Sequence, residues 1–286
     1  YGKVKALGGV SLDVRHGETF GIIGPDGAGK STLFRLLTSL LVPDSGSAQV
    51  EGLDTVKDYR EIRKIIGYMP GKFSLYQDLT VEENLTFFAT LFGTTIDENY
   101  HLIEDIYKQI EPFKARMAGK LSGGMKQKLA LCCALIHKPK VLFLDEPTTG
   151  VDPVSRKEFW DMLGRLKNDG ITILVSTPYM DEAGRCDRIA LIRNGKFLTV
   201  NSPAGIIAEF PDRLYSVRSD RMHALLGDLR AYSGTIRAFS FGESVHLSTG
   251  DGFSEDDLRK FLQDRKHNNV EINAIRPSVE DCFMRI

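Results

Sequence analysis

The stretch Gly24-Pro25-Asp26-Gly27-Ala28-Gly29-Lys30-Ser31-Thr32 constrains this chain more than any other. It satisfies G-x-x-x-x-G-K-[ST], follows the apolar run Phe20 to Ile23 and opens a helical pattern from Ser31 to Leu41. The glycines let backbone N–H groups close around phosphate oxygens at the positive end of a helix. Lys30 adds a point charge, and Ser31 a hydroxyl of the kind that ligates Mg2+. A strand that runs into such a loop and on into a helix predicts an α/β core with the loop at a strand's carboxyl end.

A second strand end carries acid. "VLFLDEP", 141 to 147, is an apolar strand that delivers Asp145 and Glu146 at its carboxyl end. A buried acid pair without cations is costly, so a metal–nucleotide complex explains it better than packing, the alternative being a structural N-cap. Asp145 would hold Mg2+, and Glu146 would orient or deprotonate an attacking water. "LSGGMKQK", 121 to 128, puts Ser122, Gly123 and Gly124 at the start of a helix, which is either a second anion-binding nest or a plain helix cap. Two nests flanking a carboxylate pair fit a head-to-tail dimer, each subunit's second nest closing the other's nucleotide.

Residues 10 to 23 read as two strands around the turn at His16-Gly17, and a strand at 47 to 51, a helix near 57 to 65 and the strand "IIGYM" follow the first helix. Thr80 and Glu83 fit a capping box, and helical patterning continues to about residue 137, interrupted at Gly119 and "LSGG". That is a helical subdomain, about 80–137, inserted in the core. Asp152 as N-cap, Pro153 at the first helical position and Gly170 past the end bound a helix over 153–168, ahead of a strand at 171–176. Asn194-Gly195 is a hairpin signal. After Pro211 the elements read strand, helix, strand, strand, helix, strand, the βαββαβ order of a ferredoxin-like unit, so the domains are drawn at 1–210 and 211–286.

Net charge is −1, from 37 basic and 38 acidic residues, so nothing advertises a nucleic-acid surface and no nucleic-acid partner is expected. Cys132, Cys133, Cys186 and Cys282 form no C-x-x-C pair and read as reduced thiols of a cytoplasmic protein. No run approaches about 18 uninterrupted apolar residues, so any membrane link comes through a partner. No signal-peptide pattern opens the chain, and its start at Tyr1 rather than Met is what an excerpt of something longer would show.

Taken together, "GPDGAGKST" (Walker A), "LSGG" (signature), "VLFLDEP" (Walker B) and "TTGVDP" (D-loop), spread over residues 1 to about 205, resemble the ATP-binding cassette subunit of an ABC transporter. The resemblance implies a P-loop NTPase core of ABC ATPase type, an ATPase using ATP and Mg2+, transmembrane permease partners, and a second cassette. That cassette would be an identical copy, a different chain, or a tandem unit of a longer protein. It implies a place on the cytoplasmic face of the inner (plasma) membrane, a nucleotide contact at Asp152, and Tyr1 as the aromatic that stacks on adenine. "FSLYQDLTVEENL", "DEAGRCDRI" and "PSVEDCFMRI" resemble the bacterial ABC-2-type exporter branch, which moves drugs, lipids or polysaccharides outward and often carries a small C-terminal domain.

Two positions depart from the family pattern. A histidine is expected after "ST" in the switch loop, and the residue here is Pro178; a glutamine is expected after "GYMP", and the residue here is Gly71. Neither substitute donates a side-chain hydrogen bond or relays a proton, and Gln77 replaces Gly71 only if the loop between them refolds. The expectation is a chain that binds MgATP, turns it over slowly, and completes a competent site on a different cassette. A soluble ABC ATPase of translation or DNA repair, and a non-catalytic regulatory nucleotide-binding module, stand as alternatives. Nothing in 211–286 resembles a catalytic site; those residues either brace a dimer or bind a regulator.

Overall fold

The computed structural model describes residues 5–286, which fall into two compact units divided between Ser202 and Pro203. The first contains β1 (Thr19–Ile23), α1 (Lys30–Leu37), β2 (Gln49–Val50), β3 (Leu53–Asp54), α2 (Tyr59–Ile65), β4 (Ile66–Met69), α3 (Val81–Leu91) and α4 (Ile96–Tyr107). It continues with α5 (Gly123–Leu135), β5 (Val141–Asp145), α6 (Pro153–Asn168), β6 (Thr172–Thr177), β7 (Arg188–Arg193) and β8 (Lys196–Asn201).

Every residue of β1, β5 and β6 is buried, the pattern of strands covered on both faces by helices. The six-stranded sheet runs β4-β5-β6-β1-β7-β8, parallel except for the β7–β8 hairpin, which turns at Asn194-Gly195 with both residues left-handed, as a type I′ turn requires. Phe20, Ile22, Phe34, Phe143, Leu174 and Ile192 lie in its core. The registers Ile23↔Thr177, Asp145↔Ser176 and Met69↔Leu144 align the carboxyl ends of β1, β6, β5 and β4, so the loops that follow them share one edge.

Several boundaries differ from the sequence reading. Only one strand forms within 10–23: Val10, Leu12 and Val14 pack half-buried on the core, but no ladder joins them among the described residues. The amides near the turn are taken by side chains instead, Arg15 N–H by Glu18 Oε1 at 2.7 Å and Gly17 N–H by the Thr172 hydroxyl at 3.0 Å. The first helix stops at Leu37 rather than Leu41, because the N–H groups of Leu40 and Leu41 both turn back to the Arg35 carbonyl while Ser39 takes a left-handed φ of 59°. The strand expected at 47–51 is only the two-residue β2, paired with β3.

Residues 80–137 are helical in pieces. The Thr80–Glu83 capping box forms, and so does one at Thr95–Glu98. Single 3-10 turns at Glu111–Phe113 and Ala118–Lys120 separate α4 from α5, which packs against α3, α4 and β4. The fully buried Asn84 donates to the carbonyls of Tyr76 and Thr80 at 2.9 Å and accepts from Tyr76 N–H at 3.1 Å, closing the loop ahead of α3.

The second unit holds α7 (Pro203–Ala208), β9 (Arg213–Arg218), α8 (Met222–Ala231), β10 (Thr235–Phe241), β11 (Ser244–Thr249), α9 (Glu255–Asp264), β12 (Glu271–Ile275) and α10 (Val279–Arg285). Its antiparallel sheet runs β10-β11-β9-β12, the strand order of a ferredoxin-like fold. Leu225, Leu229, Leu258 and Leu262 of α8 and α9 pack on Val217 and Leu247 of the sheet. The division falls between Ser202 and Pro203 rather than at 210/211, because α7 packs on α10, where the Cys282 thiol reaches the Ile206 carbonyl at 3.6 Å.

Candidate functional site

β1 ends by feeding Gly24 into a loop whose first N–H donates to the Thr177 carbonyl at 3.2 Å. Pro25, Asp26 and Gly27 are exposed, Ala28 is buried, and Ser31 and Thr32 are half-buried on the first turn of α1. Gly29 is the N-cap, with φ 107°, a conformation open to glycine. No side chain caps α1 among the described residues, so its leading N–H groups are left for an anion. Lys30 is 3% exposed; its Nζ donates to the Gly24 and Pro25 carbonyls at 2.8 and 3.0 Å and pairs with Glu146 Oε1 at 3.0 Å.

The carboxylates arrive from β5, one strand beyond β6. Asp145, 3% exposed, accepts the Ser176 hydroxyl at 2.6 Å. Glu146 has a left-handed φ of 52°, and its N–H reaches both the Ser176 carbonyl and its hydroxyl at 3.0 Å. Burial, with the Asp145 charge second, raises the Tyr68 phenol pKa on neighbouring β4. Loop 24–32, Lys30, Asp145 and Glu146 thus converge on one sheet edge. The set fits a metal–nucleotide group: a buried ammonium lies in a glycine-rich loop that leads into a helix start with no side-chain cap, beside two acids that supply hard oxygens. Among the described residues no cluster of three His, Cys, Asp or Glu side chains forms, so a metal there would complete its shell from phosphate oxygens, the Ser31 hydroxyl or water.

Ser122, Gly123 and Gly124 lie elsewhere. Ser122 caps α5, accepting Met125 N–H at 3.4 Å, and Asp152 caps α6, accepting Ser155 and Val154 N–H at 3.0 and 3.1 Å. The Ser155 amide and its neighbours hold the Asp152 carboxyl below its ordinary pKa. Both helix starts open into a polar cleft of about 310 Å³ that none of residues 24–32 lines. Tyr1 lies outside the described residues.

The two departures sit at the converging edge. A Cβ built at Gly71 would stand 3.0 Å from the Asp145 carbonyl oxygen and 3.8 Å from Glu146 Cβ, so a side chain there would start beside the acid pair. Pro178 follows Thr177, which is in register with Ile23. Gln77 is exposed, and its carbonyl accepts Gly119 N–H at 2.9 Å.

A polar network behind the switch loop was not foreseen from sequence. Glu182, 3% exposed, accepts the hydroxyls of Thr177 at 2.6 Å and Thr148 at 2.8 Å and pairs with Arg156 Nε at 3.2 Å. Arg156 also pairs with Asp181 at 2.9 Å and lies over the Tyr179 ring at 4.4 Å. The network ties the switch loop to the loop after Glu146 and to α6. Thr148 and Glu182 are 34 residues apart in sequence, and only strand topology brings them together.

The family model described as "ABC transporter" matches residues 7–149. The probable multidrug ABC transporter ATP-binding protein YbhF of Escherichia coli (strain K12) is 39% identical over 98% of this chain and 48% of its own length. The chain therefore spans about half of that relative. The Nod factor export ATP-binding protein I of Rhizobium sp. (strain N33) is 35% identical over 100% of this chain and 93% of its own length. A dimeric post-hydrolysis structure of the ATP-binding cassette MJ0796, bound to ADP and Pi, superposes with a TM-score of 0.63 at 26% identity, covering 70% of this chain and 91% of that one. With a glycine-rich loop between β1 and α1, an acid pair at the end of β5 and a parallel sheet of P-loop NTPase type, the chain belongs to the ABC transporter family.

Proposed function

We propose that this chain is the ATP-binding subunit of an ABC exporter, that it holds MgATP in loop 24–32, and that its own site hydrolyses ATP slowly. The observation that carries the reading is the composition of the converging edge: Lys30, Asp145, Glu146 and Ser176 are together, while the positions beside them are Gly71 and Pro178. Loop amides and Lys30 bind the triphosphate, Ser31 and Asp145 hold Mg2+, and Glu146 orients or deprotonates water. Bound Mg2+ supplies charge neutralisation at the phosphates. Without an amide at 71 and an imidazole at 178, the site lacks a donor and a proton relay. Each omission costs roughly 10²–10³ or 10²–10⁴ in rate.

In this reading the unit that ends at Ser202 forms the ATPase domain, with the helical subdomain at about 80–137, and 203–286 form a small α+β domain that braces an assembly. Ser122, Gly123, Gly124 and Asp152 complete the nucleotide site of a second cassette, and the pair drives membrane permease subunits from the cytoplasmic face. No helix among the described residues is long and apolar enough to cross a membrane. Relatives named for multidrug transport and Nod factor export favour export of a small molecule.

The test is MgATP binding by titration calorimetry together with phosphate release from the purified chain. Binding that Lys30→Ala abolishes, with near-background turnover that Gly71→Gln plus Pro178→His raises at least tenfold, is expected. Robust turnover in the unsubstituted chain, abolished by Glu146→Gln, would overturn the slow-site part; absence of MgATP binding would overturn the whole.

A further inference from the structure

The Asn194-Gly195 turn has a use beyond joining β7 to β8. Gly195 N–H donates to the Ala28 carbonyl at 2.9 Å, and Gly8 N–H donates to the Gly195 carbonyl at 2.6 Å. Between these two bonds the Ala6 carbonyl is wedged against both glycines: a Cβ at Gly29 would stand 2.6 Å from its oxygen, and one at Gly195 would stand 2.5 Å from it. Three segments distant in sequence, 6–8, 28–29 and 194–195, are stacked backbone on backbone.

We propose that Gly195 is a positioning residue for triphosphate binding, the hairpin turn and the Ala6–Gly8 segment together clasping the Ala28–Gly29 backbone in its phosphate-binding path. The inference rests on loop 24–32 being the nucleotide site. The physical argument is one of space. Loop amides bind phosphate oxygens only when they point inward together, and exposed Pro25, Asp26 and Gly27 have little packing to hold them so. The clasp supplies a fixed bond on the buried side, at Ala28. A methyl group at 195 pushes the Ala6 carbonyl toward Gly29, which is backbone and cannot swing aside as a flexible side chain would. The strain therefore enters the loop at its N-cap, where the amides of α1 begin.

The test measures Kd of the full chain for MgATP and for magnesium tripolyphosphate, with melting temperature alongside. Gly195→Ala should raise both Kd values at least tenfold. Gly170→Ala, at a glycine with a similar positive φ (86° against 72°) but no neighbour within 4 Å of the added Cβ, carries the same backbone strain and should stay within twofold of wild type. Gly8→Pro, which deletes the donor to Gly195 from the other side of the clasp, should also raise both values at least tenfold, and decides the matter if Gly195→Ala fails to fold. The proposal is overturned if the folded Gly195→Ala and Gly8→Pro variants keep wild-type Kd values, or if Gly170→Ala loses as much affinity as they do. Wild-type chain that binds neither ligand would sink the nucleotide-site reading itself, and the inference with it.

Discussion

Replacing Glu182 by alanine should unfold the first unit at much lower denaturant. Its carboxylate accepts two hydroxyls from fully buried threonines and pairs with Arg156, whose side chain is 21% exposed. Removing it leaves the Thr148 and Thr177 hydroxyls without an acceptor and half of the Arg156 pairing gone. Breaking a buried pair from one side costs about 3–5 kcal/mol, and hydrogen bonds to a charged group carry roughly 1.5–3 kcal/mol each, so the two routes agree at about 3–5 kcal/mol. Glu182→Gln keeps the shape and one acceptor oxygen and should cost only about 1–2 kcal/mol. Urea unfolding reads this cleanly, because Trp160 is the chain's one tryptophan and sits buried on α6, so its fluorescence reports the first unit. With a slope of about 2 kcal/mol per M, the alanine variant's midpoint falls by roughly 1.5–2.5 M. In a cycle with Arg156→Met the two losses should fall short of adding by about 0.5–3 kcal/mol. A midpoint shift in Glu182→Ala no larger than that of Glu182→Gln, or strict additivity with Arg156→Met, refutes the network.

Two further outcomes follow from buried polar groups. Asn84→Ala strips the loop ahead of α3 of its bonds to Tyr76 and Thr80; it should cost about 2–3 kcal/mol and speed amide exchange across 76–80, measured by mass spectrometry. Burial lowers the pKa of His137, against which its bond from Nε2 to the Ile66 carbonyl (2.8 Å) works only in part, so the unfolded chain takes up a proton first. Stability should be full above pH 6.5, the ordinary histidine value, and decline as pH falls through the lower folded value; His137→Gln should flatten that decline in urea midpoints taken across pH 7 to 5.

What the sequence revealed was written in local codes. β5 and α6 end where the "VLFLDEP" run and the Asp152, Pro153 and Gly170 signals put them, and the Asn194-Gly195 turn forms as its residue types require. The capping box at Thr80 needs only four consecutive residues. What stayed hidden depends on partners far along the chain. Val10, Leu12 and Val14 alternate like a strand, yet a ladder needs a neighbour that alternation cannot supply. The early end of α1 has no glycine or proline at 38 to announce it; a Thr38 hydroxyl bonded to the Phe34 carbonyl and a left-handed Ser39 do the work instead. At the site, the motifs named Lys30, Asp145 and Glu146, but the Ser176 hydroxyl that holds Asp145 is legible only once β5 and β6 are known to be neighbours.

Glu146 stands in a backbone conformation that an L-residue enters at a penalty of about 1–2 kcal/mol and that glycine enters freely. A protein engineer ranking positions by thermal robustness alone would put glycine or asparagine there early, and would thereby delete the carboxylate poised 3.0 Å from Lys30. Tolerance to heat and possession of that oxygen pull in opposite directions at a single residue.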